Sequence, residues 1–448
     1  MKPLDPFRAL PPPARLLLAA GGVNALGSGL VAPLLVAYLH TEQGFAVSVA
    51  TGAVALISVG AFIGGPLSGW VSDRCGRITA VLVALAVAAV GMVLFAVVHR
   101  PWQALLAAAV FGLGIGGNAA WNALLTGTAD ARQRPAVFSL NFAVMNAAIG
   151  AGGLIGGAAV HGGGLTAFRA LYVADGLSFV LVALLVLVVR RSLATRQDDL
   201  EDGEEAPPGP RPPTVPVRLG GVLLVAFLLY LAGYSQLESG LSAVLVAAHG
   251  MSTADLALLF AVNTLVVVAG RALVLSAAGR RTARDALRLT ALAWASFWGL
   301  TLVTWPLGQQ PAAVGGLAVA MGIFAVGESF YAVGMPVLLT AVAGPRRLGS
   351  VNGLHGAATS LGYVIGPLAA GLLVDARHAR TFTAAAAALC LVAALTTRLL
   401  PSTAVATSDS PGTSASDAAP AAGTGPGTPE EPSTPPVPHA PKAPDGVA

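Results

Sequence analysis

Charge is what this 448-residue chain has least of. Asp, Glu, Lys and Arg make up 10% of it, 55% is hydrophobic and the mean hydropathy is +0.75. An ordinary soluble domain is about one quarter charged. Water cannot solvate the surface that such a composition must expose, so a soluble fold is excluded and lipid is the remaining solvent. Cysteine is scarce too. Cys75 and Cys390 lie far apart and make neither a disulfide framework nor a metal site. No G-x-x-x-x-G-K-[ST] loop occurs, which argues against ATP as the direct drive. No nucleophile elbow or His/Cys cluster points to an enzyme, a metal or a cofactor. The net charge of +4 comes mostly from Arg residues spread over short loops, without a basic stripe or interleaved aromatics, so nucleic acid is not an expected partner.

Long apolar runs are what the chain does have. A backbone that crosses lipid must close its own hydrogen bonds, which leaves helices or a closed barrel. These runs do not alternate with a period of two. They are apolar on all sides and rich in Ala, Leu, Val and Gly, which selects helices. The chain therefore reads as an all-α polytopic membrane protein. An N-terminal segment, 1–13, precedes six spans in 14–189. A polar, Pro-containing linker, 190–218, is expected to be flexible. Six more spans fill 219–400, and a tail of Pro, Ala, Ser, Thr and Gly, 401–448, is expected to be disordered. The first run is too long for a cleavable leader and reads as a retained span.

Lys and Arg set the orientation. Lys2, Arg8, Arg15, Arg74, Arg77, the linker arginines, Arg280, Arg281, Arg284, Arg346 and Arg347 fall on one side, against Arg100, Arg169, Arg377 and Arg380 on the other. The first side is expected to be cytosolic, with both termini and the linker, in a cell membrane. The halves also echo each other. Gly27-Ser28-Gly29-Leu30 pairs with Glu238-Ser239-Gly240-Leu241, and Gly117-Asn118 with Gly327-Glu328, at offsets of about 210 residues. Two parallel six-helix repeats are implied.

The loop after the second span reads Gly65-Pro66-Leu67-Ser68-Gly69-Trp70-Val71-Ser72-Asp73-Arg74-Cys75-Gly76-Arg77. Gly69 would permit close helix approach, Gly76 a tight turn, and Asp73 with Arg77 a pairing across a cytosolic seam. The loop resembles the signature G-x-x-x-D-R-x-G-R-[RK] of the major facilitator superfamily, matching it at Gly69, Asp73, Arg74, Gly76 and Arg77 and departing from it at Ile78. The resemblance implies a twelve-span fold of two halves, and a loop that locks their cytosolic sides together. Span 5 carries Gly152, Gly156 and Gly157 of the G-x-x-x-G-P-x-x-G-G stretch found in drug/proton antiporters of that family, with Ala148 and Gly153 in place of Gly and Pro. Span 11 carries a related Gly366-Pro367. Small residues at these points let helix backbones touch.

Intramembrane carboxyls are costly in lipid and are default functional candidates. Glu328 falls near the middle of span 10, with Tyr331 one turn on, and is the first candidate for proton coupling. Glu238, in the outer part of span 7, is the second. Asp175 has Arg169 six residues before it, and the two read as a structural pair. Asn24, Asn118, Trp121, Asn146, Tyr234, Gln236 and Tyr331 are candidates for a substrate cavity, in which Trp121 and Tyr331 would stack on an amphipathic molecule. Helix-to-helix hydrogen bonding is the plainer role for Asn24, Asn146, Asn263 and His355. Together with the resemblance, these residues imply a monomeric secondary transporter that exports an amphipathic small molecule in exchange for protons. Proton-coupled uptake of a nutrient or siderophore is the alternative. A non-transporting receptor on the same fold is a second.

Overall fold

The computed structural model describes residue 7 and residues 10–129, 133–161, 163–201, 217–278, 280–308, 310–343 and 348–404. Among them are twelve helices long and apolar enough to cross a membrane: α1 Pro12–Glu42, α2 Val47–Cys75, α3 Arg77–Ala96, α4 Pro101–Leu125, α5 Leu140–Val160, α6 Gly164–Arg190, α7 Leu219–Glu238, α8 Thr253–Gly270, α9 Ala283–Leu307, α10 Pro311–Ala343, α11 Val351–Asp375 and α12 Ala379–Leu399. Among the described residues no strand forms beyond an isolated bridge between Thr282 and Ala404. The expected all-α polytopic architecture is therefore present.

The packing repeats as the sequence echo implies. In the first half α1 packs on α5 and α6, α2 on α4, and α3 on α4 and α6. In the second half α7 packs on α11 and α12, α8 on α10, and α9 on α10 and α12. The halves meet through two crossed pairs, α2 with α11 and α5 with α8. Small residues set the spacing. Gly152 and Gly156 press α5 onto the α1 backbone at the carbonyls of Leu26 and Leu30, while Gly157 faces Ala257 of α8 across the seam between halves. A side chain at Gly156 would meet main chain that cannot rotate away, so Gly156→Val should separate α1 from α5. Overpacking of this kind costs about 1–3 kcal/mol. The measured consequence should be a lower melting temperature in detergent and less folded protein, whereas Gly69→Val, with open space around it, should leave both unchanged.

Three helices break where uniform spans are expected. Pro33 turns α1 into a 3-10 segment over Ala32–Leu34, and a π segment, Tyr38–Glu42, follows. Its repeat partner α7 contains a π segment at Tyr230–Tyr234, with another beyond it at Ala243–Ala248. Helix α4 interrupts at Gly116-Gly117, where the chain lies against Gly64 of α2 and Ala84 of α3. Such bulges are common at functional sites.

The helix that contains α6 runs through Glu201, because no Gly or Pro occurs from Arg190 until Gly203 to stop it. Residues 202–216 of the linker lie outside the described residues. So does the tail beyond Ala404, although its first residues dock on α9, where the Ala283 amide donates to the Thr403 carbonyl at 2.7 Å.

Contacts between the halves are concentrated away from the side on which Leu10 and Ala404 lie. Gly371 of α11 sits against Ser48 and Thr51 of α2. Asp375 at the end of α11 accepts hydrogen bonds from the amides of Val47 (2.9 Å) and Ser48 (2.8 Å), the first two residues of α2. At the other ends of the same helices, Gly69 and Gly353 have open space around them, and Leu67 and Trp70 are exposed. The halves are thus closed on the face opposite Leu10 and Ala404, the ends of the continuous described stretches, and parted on the face that carries those residues.

Candidate functional site

Glu328 occupies the middle of α10, where the helix is unbroken and Gly327 lets it approach Trp294 of α9. Its Oε2 accepts a hydrogen bond from Asn263 Nδ2 of α8 at 3.3 Å. It lines a cavity of about 260 Å³ together with Phe142 of α5, Tyr234 of α7, Val267 of α8 and Ser329 of its own helix. Phe142 lies at the start of α5 and Val274 on the continuation of the α8 helix to Ala278, so this pocket lies on the parted face.

Glu238 faces a different space. It lines a cavity of about 510 Å³ between the halves, toward the opposite face, with Leu35, Val54, Met92, Phe111 and Asn118 from the first half and Ser360 and Tyr363 from the second. The two carboxyls therefore border separate cavities at different depths.

A cluster of aromatics stands between those cavities. Tyr230 lies 5.0 Å from Tyr234, 5.8 Å from Tyr331 and 5.3 Å from Tyr363, measured between ring centroids. Tyr234 is 5.3 Å from Tyr331 and 5.0 Å from Trp294. Tyr331 Oη and His355 Nε2 lie 3.1 Å apart, joining α10 to α11. Four of the six tyrosines in the chain thus meet beside a buried acid. Such rings attract cations through their faces, with a gain that rises when water is excluded. Tyr230 and Tyr363 were not singled out in the sequence, although Tyr230 and Tyr234 are four residues apart and so share a helix face.

The remaining candidates divide between places. Asn24, Trp121 and Asn118 line a third cavity, about 160 Å³, inside the first half, and Asn118 also borders the large one. Trp121 lines the cavity of the first half, while Tyr331 stands in the tyrosine cluster of the second. Gln236 is buried, donating to the Leu231 carbonyl at 2.7 Å and packing against Gly366, so it belongs to the α7–α11 contact. Pro367 follows within α11. Asn146 donates to the Phe142 carbonyl of its own helix at 2.8 Å.

Asp175 and Arg169 do not pair. Arg169 reaches His99 Nε2 at 2.9 Å, while Asp175 is wholly buried and accepts from Ser178 Oγ at 3.2 Å. Six residues turn a helix through about 600°, which puts the two side chains on different faces.

In the loop after α2, Gly76 has φ +84° and makes the tight turn into α3. Arg74 stacks over Trp70 at 4.5 Å. Asp73 is exposed, and Gly69 has nothing within 4 Å, so its expected close approach is not made with this face parted.

Comparison with known proteins agrees with this architecture. The chain matches the family model described as Major Facilitator Superfamily over residues 17–327 and 280–438. It is 23% identical over 400 residues to the uncharacterized MFS-type transporter YttB of Bacillus subtilis (strain 168), covering 87% of this chain and 95% of that one. It is similar in fold to a bacterial homologue of the iron transporter ferroportin in the inward-facing state, with a TM-score of 0.68 and 17% identity over 86% of this chain and 97% of the other. It is also similar to the nucleoside transporter NupG, with a TM-score of 0.67 and 12% identity over 87% and 98%.

Proposed function

The chain belongs to the major facilitator superfamily, and on that premise we propose that it exports an amphipathic, cationic small molecule in exchange for protons by alternating access. The observation that carries this reading is Glu328 beside the tyrosine cluster, on a cavity that opens on the parted face. A carboxyl in an apolar cavity is stable when protonated, or when an organic cation neutralises it. Aromatic rings at about 5 Å from one another supply the apolar and cation-attracting walls for such a cation. One carboxyl can therefore hold either a proton or the substrate, and competition between them is exchange.

Binding should release a proton. Adding tetraphenylphosphonium to the purified protein in weak buffer near neutral pH should acidify the solution, and Glu328→Gln should abolish that signal. Binding without proton release would remove the exchange mechanism.

The parted face is assigned to the cytosol from the Lys and Arg distribution. Cys75 is exposed at that face and Cys390 is buried, so the native chain carries its own reporter. A membrane-impermeant maleimide should leave Cys75 unmodified in intact cells and label it after permeabilisation. Labelling of intact cells would invert the orientation and, with it, the direction of transport.

Asp73 would serve the other half of the cycle. Its exposure here fits a lock that engages only when the cytosolic sides close. Asp73→Asn keeps the volume and removes the charge. It should slow turnover severalfold at normal expression and melting temperature, as read by initial transport rates.

A further inference from the structure

Asp175 is a third buried carboxyl, and neither the packing nor the exchange site described above uses it. It sits on α6 with no exposed surface. Ser178 Oγ lies 2.8 Å from the Asp175 backbone carbonyl and 3.2 Å from its Oδ1, so its one proton serves either acceptor, and Asn24 Nδ2 of α1 donates to the same hydroxyl at 3.2 Å. Asp175 Oδ2 makes no hydrogen bond of normal geometry, with the Ser28 hydroxyl standing close to the carboxyl. The neighbours provide no compensating charge among the described residues. Helix α1 contributes Asn24, Ser28 and the bare backbone of Gly27. Helix α3 meets this stretch of α6 with Ala89, Met92 and Val93. Tyr172, one turn earlier on α6, is the titratable side chain beside it. Gly27 is a fitted notch, since a side chain there would overlap Ser178 Oγ.

A structural acid gains from engaging both oxygens, because an unmade hydrogen bond on a buried polar atom costs about 1–3 kcal/mol, and Oδ2 lacks one here. The location supplies a different reason for it. Tyr172, three residues before Asp175, lines the large cavity toward the closed face. Phe179, four residues after it, lines the smaller cavity toward the parted face. Ser28 and Asn118 line both. The carboxyl thus lies behind the wall that divides the two spaces, with Asn24 and Ser178 leading to it from the parted side.

We propose that Asp175 is a second proton-binding carboxyl of the transport cycle, seated in the first half and exchanging its proton with whichever of the two cavities is wet. This rests on the proton-coupled reading of the protein, but it concerns a different residue in the other half. A carboxylate there would be buried with only the Ser178 and Ser28 hydroxyls beside it and no cation, so the side chain keeps its proton while both cavities are dry around it. Rocking of the halves wets one side at a time, and the Ser178 hydroxyl can pass a proton by accepting one and releasing its own.

The test needs no substrate. Purified wild type, Asp175→Asn, Glu328→Gln and Ser178→Ala are compared by pH-difference infrared spectroscopy and by potentiometric titration. Asp175→Asn should lack one carboxylic C=O band that titrates in the wild type, and should take up about one proton fewer across the titration. Glu328→Gln should retain that band and lose another. Ser178→Ala keeps the carboxyl but removes a hydroxyl within 3.2 Å of it, so the same band should move in frequency and midpoint. It also decides the matter if Asp175→Asn fails to fold. Spectra and proton counts unchanged by Asp175→Asn or, where that variant does not fold, the absence of any titrating band that moves in Ser178→Ala, would show Asp175 to be a fixed structural group and overturn the proposal. The reading of Glu328 would survive that result, since its own band and its transport assay are separate. Conversely, a titrating Asp175 in a protein that moves no substrate against a pH gradient would sink proton-coupled export and, with it, the transport role given to Asp175.

Discussion

Inverted vesicles carrying Glu328→Gln should bind an amphipathic quaternary cation and yet fail to concentrate it, with accumulation falling to that of protein-free vesicles. The reason lies in what glutamine preserves. It keeps the volume of the side chain and can still accept from Asn263, so the α8–α10 contact stands. The aromatic walls made by Tyr234, Tyr331 and Trp294 are untouched. What disappears is the titrating group. A carboxylate near mid-membrane costs roughly 3 kcal/mol on insertion scales, and in exchange that cost is relieved alternately by a proton and by the substrate. A permanently neutral side chain needs neither partner, so the pH gradient no longer has a handle on the cation. Wild-type accumulation in Glu328→Gln would move the proton site elsewhere, with Glu238 on the large cavity the next residue to test.

The second large effect is expected from Asp375→Asn. The first turn of α2 has unpaired amides, and its preceding residue, Ala46, has no side chain to cap them. The cap comes from the other half: both carboxylate oxygens of Asp375 accept from Val47 and Ser48. Hydrogen bonds to a charged group are worth about 1.5–3 kcal/mol, and a carboxylate also complements the positive end of the helix dipole. Asparagine retains one acceptor oxygen and presents an amide to the second N–H. Loss of about 1.4 kcal/mol from the state closed on this face shifts the balance of states roughly tenfold. Spin labels at Gly69 and Gly353, on the parted face where both have room, should report a larger population of short distances in Asp375→Asn than in the wild type. Asp73→Asn should move the same populations the other way, because it weakens the lock at the opposite end of α2. Identical distance distributions in the wild type and Asp375→Asn would reduce the Asp375 contact to a local cap.

Much of the membrane domain was legible because lipid leaves the chain few choices. Unbroken apolar runs fix helices, and the spans follow from their length. Gly76 was legible for a local reason, since a turn between two helices with positive φ calls for glycine. Glu328 stood out as a charge in a run that otherwise has none. Its partner Asn263 lies 65 residues away and was legible only as a polar group without an assigned neighbour. Asp375 was invisible as a latch for the same reason: 328 residues separate it from Val47, and at the end of a span a carboxylate needs no explanation. Asp175 and Arg169 are close in sequence but not in space, because the helix turns Arg169 away toward His99. The breaks at Gly116-Gly117 and in α7 arise from packing against neighbouring helices, which hydropathy does not record.

Exchange itself is tested most directly by the direction of movement in inverted vesicles with an acidic lumen and a permanently charged cation, which pH partition alone cannot concentrate. Proton-coupled export predicts that wild-type vesicles accumulate the cation above protein-free controls, that the lumen becomes more alkaline as they do so, and that a protonophore abolishes the accumulation. Movement of the cation out of the acidic lumen along with protons would contradict export and make the protein a symporter for uptake.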